Sequence, residues 1–380
     1  MKTYFEGDLV QNEELNKVAR QRQREYHEIT VPKAALDSYL EKEWELRREY
    51  KRSVRLRKKK PIDELLEDEV WLLFKGMGFI EMNKDRNFKI RAGEVWKQVD
   101  VFARDEDYAF VVECKAGSVK GVSIATKDIR EIADLRREIV DSIMKKYNDR
   151  SIRGRFMIAT RGLKWTREKE RLAKRKKLIV CKGTDLDYYR RLVKHLGSAA
   201  KFQIYSIWLP REKIPETITV PAIYAGKGRE KYYCFVIRPE KLLQIAYVHH
   251  RRSTPEELLG SYQRMLKKYR LDKIDAFISE GGHFPNNIIL SLREKPTFRR
   301  FKKEKQAGEV VVGMLELPRE YASAWVIDGQ HRLYGYADNE RKSTASLPVL
   351  AFEPLPVDRQ ARLFVEINRE QKSVSGNLLW

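Results

Sequence analysis

Hydrophobic and polar positions alternate most sharply between Gln98 and Lys115, where QVDVFARDEDYAFVVECK reads as two strand-like runs joined by the polar turn Arg104-Asp105-Glu106-Asp107. Residues two apart on a strand share a face, so Gln98 goes with Asp100 and Val111 with Glu113 and Lys115. Phe110, Val112 and Cys114 then point the other way, into a core. Hairpin pairing brings Asp100, Glu113 and Lys115 together, with one face for chemistry and one for structure. Upstream, Asp63 to Met77 carries Leu66, Val70, Leu73 and Met77 at helical spacing, with Glu69 beside the stripe and Gly78 as terminator. Downstream, the periodicity predicts a long helix over Lys127–Tyr147, strands at 155–160 and 178–182, and helices over Thr166–Lys177 and Leu186–Leu196.

The flanks read differently. Residues 1–60 form a basic extension in which Glu13–Tyr26 and Ala34–Arg57 are helix-compatible, the second ending in the run Arg55 to Lys60. That run suits a solvated helix face or an arm that tracks DNA. GSAAK at 197–201 lightens into a linker, and a second region, 198–380, opens with the apolar run FQIYSIWLP, taken as a strand. A further strand at 232–237, helices near 239–248 and 255–270, and the strand-like FPNNIILSL at 284–292 follow. At 323–337, SAWVIDGQHRLYGYA reads as a short buried strand, a turn at Asp328-Gly329 and a helix from Gln330 to Tyr336.

Composition adds a partner. The chain has 380 residues, enough for two or three domains, and 42% apolar residues, enough for true cores. Lys plus Arg number 77 against 55 acids, a surplus of 22. So large a surplus, with a pI near 9.7, implies a polyanionic partner. A merely charge-rich thermophile surface would raise acids alongside bases. Cys114, Cys181 and Cys234 are dispersed in apolar runs and form no CxxC pair, which excludes cysteine-rich zinc sites and fits a reducing cytosol. No signal-peptide segment and no apolar run near eighteen residues stands out, so a cytoplasmic protein is expected.

Two carboxylates and a lysine on one sheet face suit phosphodiester hydrolysis, because carboxylate oxygens bind Mg²⁺ or Mn²⁺ and a lysine can orient water or neutralise developing charge. Asp100 followed by Glu113-Cys114-Lys115 resembles the PD-(D/E)xK nuclease superfamily, over about residues 61–197. The resemblance implies a restriction-endonuclease-like mixed sheet flanked by helices, an α/β (α+β) fold. It also implies metal held by Asp100 and Glu113 with help from Glu69, and water oriented by Lys115; Gln98, by sharing a face with Asp100, is either a contact to substrate or water or a strand-edge amide.

A second set of residues suggests anion binding. Gln330, His331 and Arg332 open a helix whose exposed amides favour an anion, and Gly329 lets the backbone bend tightly. The run Ile327 to Leu333, containing Asp328-Gly329-Gln330-His331-Arg332, resembles the DGQHR-domain family, which includes DndB-like proteins of DNA phosphorothioation systems and is distantly ParB-like. FPNNIILSL and FVEINREQKSV resemble further elements of that family, adding Asn368, Gln371 and Lys372 as polar candidates. The resemblance implies a ParB/DGQHR-like α+β domain that binds a nucleoside triphosphate or DNA. Chains of that family continue further than Asn377–Trp380, so an incomplete second domain is expected. His249-His250-Arg251-Arg252 reads as a basic loop touching phosphate.

Together these readings predict a metal-dependent DNA endonuclease coupled to a DGQHR sensor in prokaryotic defence, acting with DNA and as a homodimer or with a defence partner. Its alternatives are a non-cleaving DNA-binding regulator and a ParB-like NTPase.

Overall fold

The computed structural model describes residues 3–117, 121–210, 212–227, 230–248, 266, 268–301 and 310–370. The protein is a mixed α+β chain in two compact units, 1–187 and 188–380. The first unit runs β1 (Phe5–Glu6), β2 (Leu9–Gln11), α1 (Asn12–Arg22), β3 (Tyr26–Pro32), α2 (Leu36–Leu40), β4 (Glu45–Glu49) and β5 (Ser53–Lys59). It continues through α3 (Ile62–Gly76), β6 (Glu81–Asn83), β7 (Lys89–Ala92), β8 (Val95–Gln98), β9 (Val101–Arg104) and β10 (Tyr108–Ala116). Then come α4 (Thr126–Asp134), α5 (Arg136–Tyr147), β11 (Arg153–Arg161), α6 (Arg167–Arg175), β12 (Ile179–Lys182) and α7 (Gly183–Leu196), within which the division falls.

Six strands form the central sheet in the order β12-β11-β10-β9-β6-β2, with β9–β10 antiparallel and β10–β11–β12 parallel. The hairpin turn lies where the polar residues predict it. The Asp105 side chain accepts from the backbone N–H groups of Asp107 and Tyr108, which sets the register Ala109–Arg104 through Val112–Val101. β10 is buried on both faces, however. Val111 belongs to a core packed with Ile129, Ile132, Ile139 and Phe156, while Phe110 meets Phe74 and Phe79. Helices thus cover both sides of a partly parallel sheet, and the chemical face begins only at Glu113.

α3 forms as its stripe predicts. Leu66, Val70, Leu73 and Met77 are all buried, Asp63 and Glu64 sit in the first turn where acids oppose the helix dipole, and Gly78 stops the helix at φ +81°.

Four elements differ from the pattern-based expectation. The stretch Ala34–Arg57 is not one helix: it contains β4 and most of β5, which with the preceding β3 make a three-stranded antiparallel sheet. The period in SVRLRKK is two, with Val54 and Leu56 buried between half-buried arginines, and the charge of the segment masks that alternation. The segment is therefore α-helical only over α2, Leu36–Leu40, and β1 and β2 of the same region pair with β7 and β6. The predicted Lys127–Tyr147 helix breaks at Leu135 into α4 and α5. The apolar run at 202–209 is a helix, α8 (Ala200–Trp208), buried on most sides, a case where an unbroken apolar run has no period to read. GSAAK is accordingly a short 3₁₀ turn leading into α8 rather than a linker.

The second unit continues with β13 (Thr219–Lys227), β14 (Glu230–Ile237), α9 (Pro239–Ile245), β15 (Ala246–Tyr247), α10 (Lys268–Ser279), β16 (Ile288–Leu292), β17 (Thr297–Arg300) and β18 (Val311–Glu316). It closes with β19 (Ala324–Asp328), α11 (Gln330–Tyr334), β20 (Leu347–Phe352) and α12 (Val357–Glu370). Its eight strands form one mixed sheet in the order β15-β19-β16-β20-β14-β13-β18-β17. Among the described residues no helix is long and apolar enough to cross a membrane.

One polar knot ties the N-terminal elements to α3. Asp68, 3% exposed, takes Arg22 at 2.9 Å, Lys60 at 2.7 Å and Arg86 at 2.6 Å, and Arg22 also lies over the Trp71 ring. Asp68→Ala would leave three crowded cations without their shared carboxylate. We expect a loss of roughly 3–5 kcal/mol in the stability of the first unit, read by urea denaturation followed by tryptophan fluorescence.

Candidate functional site

One step beyond Val112–Val101, the hairpin register sets Asp100 opposite Glu113. Asp100 Oδ2 accepts from the Cys114 backbone N–H at 2.7 Å, which clamps the acid to the strand. Glu113 is held by two lysines: its Oε1 lies 2.7 Å from Lys115 Nζ and its Oε2 3.4 Å from Lys97 Nζ. Lys97, on β8, also reaches Glu131 of α4 at 2.8 Å. Burial opposes the charge of both lysines, but the carboxylates outweigh it and hold both above the ordinary lysine value. Asp100, Glu113 and Lys115 therefore converge as predicted from their spacing.

Other candidates are arranged differently. Gln98 ends β8, in a separate three-stranded sheet, and Asp100 precedes β9; Val99 and Asp100 break the strand between them. The two do not share a face. Gln98 is exposed, and its amide donates to the Arg86 carbonyl at 2.9 Å. Glu69 is on α3, but both its oxygens lie on Arg161, at 3.0 and 2.7 Å, and Arg161 also binds Asp187. Glu67, also on α3, interacts with Asp100. Burial, then the charge of Asp100, pushes the Glu67 carboxyl up to about 7, against Arg86 at 2.7 Å. Burial, then the charge of Glu113, pushes Asp100 up to about 6.

Glu67 and Lys97 were not legible in the sequence. Acids stand at 67, 68 and 69, about 100° apart around the helix, and only docking on the sheet decides which turns toward Asp100. The alternation in VWKQ marks Lys97 as a strand residue and nothing more.

Among the described residues, no group of three or more His, Cys, Asp or Glu side chains is arranged to hold a metal ion. Two carboxylates nevertheless suffice for Mg²⁺ or Mn²⁺, which keeps several waters and completes its shell with substrate oxygens. Burial first, and a neighbouring carboxylate second, raise Asp100 and Glu67, and a divalent cation beside them would favour their charged forms. Hard oxygen donors in that state fit such an ion.

The second candidate site is a strand–turn–helix. β19 ends at Asp328, Gly329 turns at φ +90°, and α11 begins at Gln330 with Gly329 at the cap and no side-chain capping bond. A side chain at 329 would meet Ile288 at 2.6 Å, so glycine is required there for space as well as conformation. The helix is shorter than expected, ending at Tyr334 because Tyr336 and Ala337 turn back on it. Arg332 does not present itself to a phosphate. Its guanidinium binds Asp328 Oδ2 at 2.9 Å and the Asn286 carbonyl at 2.8 Å, and burial pulls its pKa down while Asp328 resists. Gln330 is buried at 8%, and among the described residues its Oε1 has no hydrogen-bond partner; His331 is half-buried on the same turn. Asn368 falls within α12, and Gln371, Lys372 and His249-His250-Arg251-Arg252 lie outside the described residues.

Residues 220–380 match the family model of DndB, described as DNA-sulfur modification-associated. The C-terminal region is therefore DndB-like, and the match includes Asp328 to Arg332. Similar solved structures include protein VC1899 from Vibrio cholerae, 14% identical over 48% of this chain and 50% of that one, with a TM-score of 0.27. Can2 from Sulfobacillus thermosulfidooxidans, in complex with cyclic tetra-adenylate, is 15% identical over 47% of this chain and 49% of its own, with a TM-score of 0.24. The chain spans about half the length of either, and scores this low carry neither fold nor chemistry across. No curated protein matches the sequence.

Two expectations follow from the geometry. In the native state Asp100 keeps its proton up to about pH 6, whereas the unfolded chain releases it near the ordinary 3.8. Native stability contributed by this group is thus lost as pH rises between those values, and the cost is complete above them. Asp100→Asn keeps an acceptor for Cys114 and removes that cost. In EDTA its stability should exceed the wild type's by a margin growing to roughly 2 kcal/mol by pH 7, read by parallel urea titrations from pH 4 to 7.5. Arg332→Ala should lower the unfolding midpoint of the second unit by several degrees, about 2 kcal/mol, because it frees both the Asn286 carbonyl and Asp328; differential scanning calorimetry without nucleotide reads this.

Proposed function

We propose that the protein is a metal-dependent DNA endonuclease whose DndB-like region ties cutting to DNA sulfur modification. The observation that supports this reading is the convergence of Asp100, Glu113 and Lys115 at the end of a central hairpin, beside the titratable acid Glu67. Asp100 and Glu113 would hold Mg²⁺ or Mn²⁺, which when bound polarises a phosphoryl group and lowers the pKa of coordinated water. Lys115, 2.7 Å from Glu113, would orient that water or face the charge that builds on the phosphate. Glu67, near neutrality in its proton affinity, could exchange a proton at its carboxylate. The surplus of 22 basic charges would draw the polyanion in, making binding strongly salt-dependent.

A second reading has its own support. Both oxygens of Glu113 are already occupied by lysines, and Glu69, the family's expected helix acid, is committed to Arg161. A chain that keeps such a scaffold for binding alone would be a non-cleaving regulator of DndB type. The nucleotide-binding reading of Asp328 to Arg332 would in either case require Arg332 to leave Asp328.

Cleavage of supercoiled and linear DNA, with and without phosphorothioate, in Mg²⁺, Mn²⁺ or EDTA separates these readings. The nuclease reading expects metal-dependent cutting by the wild type, reduced by about 10²-fold or more in Glu113→Ala and Lys115→Ala with DNA affinity within a few-fold of normal. Absence of cutting by the wild type in every metal, with salt-sensitive binding intact, would establish the regulator.

A further inference from the structure

Between α1, the strands β3 and β5, and the loop after β6 lies an open pocket of about 310 Å³. Five cations line it: Arg22, Arg24, Lys60, Lys84 and Arg86. Only two acids do so, Glu28 and Asp85, and both have other work. Glu28 is paired with Arg47 and Arg55, and Asp85 accepts from the Asn87 backbone N–H.

The floor is unusual in its charge. Arg22 and Lys60 are each only 6% exposed, and with Arg86 they share one buried carboxylate, that of Asp68. Burial, and then the neighbouring charge of Arg86, pulls the Arg22 pKa down even though Asp68 opposes it. Arg86 is also shared with Glu64 and Glu67, and Arg22 and Lys60 donate to the Lys84 and Gln21 carbonyls, yet these three groups carry more N–H donors than those bonds use. At the rim, Arg24 and Lys84 are exposed and make only long ion pairs, at 3.9 Å to Glu28 and 3.6 Å to Asp8. They can swing to a ligand at little cost.

We propose that this pocket binds a phosphate monoester, either the terminal phosphate of a nucleic-acid strand or that of a free nucleotide. The shape selects one group. Cations brought to one pocket from three separate stretches of the chain, 22–24, 60 and 84–86, suit a single anionic head, whereas a continuous backbone is tracked by a groove. Its charge favours the dianion of a monoester over the single charge of an internal diester. The volume, about 310 Å³, has room for the head together with part of its nucleoside. Arg86 links the pocket to the carboxylate cluster, since the same guanidinium reaches Asp68 at 2.6 Å and Glu67 at 2.7 Å. A phosphate in the pocket would therefore compete for the charge that now faces Glu67. The inference does not depend on cleavage.

The full chain, in EDTA at pH 7.5, should be titrated with a fluorescent single-stranded 12-mer bearing a 5′-phosphate, a 3′-phosphate or neither, and in separate runs with AMP and with inorganic phosphate. A terminal-strand ligand predicts that one phosphorylated strand binds about tenfold more tightly than the unphosphorylated one. A free-nucleotide ligand predicts saturable AMP binding that inorganic phosphate displaces, with the three strands alike. Either preference should vanish in Arg24→Ala/Lys84→Ala, which changes only exposed side chains and should melt as the wild type does. Equal affinity for all three strands together with no AMP binding by the wild type would overturn the proposal. So would a preference that survives unchanged in both the double variant and Arg86→Gln.

Discussion

The carboxylate cluster of the first unit depends on the register of one hairpin. The Asp105 side chain closes the turn by accepting two backbone N–H groups, and from there the ladder has no freedom to slip, since a shift by one residue would exchange the two packed faces of β10, taking Phe110 from Phe74 and Phe79 and Val111 from its own core. Because the register holds, Asp100 lands opposite Glu113 and its carboxylate is pinned by the Cys114 N–H. Two acids are thereby forced together where water is scarce, and the raised proton affinity of Asp100 and Glu67 is the electrostatic consequence.

The first unit handles this crowding with cations drawn from far along the chain. Lys97 and Lys115 flank Glu113, Arg86 stands between Glu67 and Asp68, and Arg22 and Lys60 complete the far side of Asp68. The carboxylates next to the hairpin and the cations of the N-terminal pocket are thus one continuous ionic system, with Arg86 as the shared member. An anion entering on one side or a cation on the other acts on the same balance. This is a physical route by which a bound phosphate could bias the acids without any movement of the backbone.

In the DndB-like region the constraint is backbone geometry. Gly329 makes the turn against Ile288, which brings Arg332 back over Asp328 and onto the Asn286 carbonyl. The guanidinium that a phosphate corner would offer is used instead to brace the loop before β16. Among the described residues the buried Gln330 Oε1 has no hydrogen-bond partner.

The sequence by itself determined the local elements whose cause is local. The 104–107 turn, the α3 stripe with its Gly78 stop, the strand at 232–237 and the strand–glycine–helix at 324–334 could all be read, because period and turn chemistry are written in adjacent residues. The strands β4 and β5 were hidden because a dense run of arginine and lysine looks the same on a helix and on an exposed sheet, and α8 because a uniformly apolar run has no period. Tertiary structure alone decided the partners: that Glu67 interacts with Asp100, that Arg161 takes Glu69 from 92 residues away, and that Lys97 reaches Glu113. Ion pairing depends on where two distant side chains arrive after the sheet has formed, and nothing in the neighbourhood of either residue encodes that meeting.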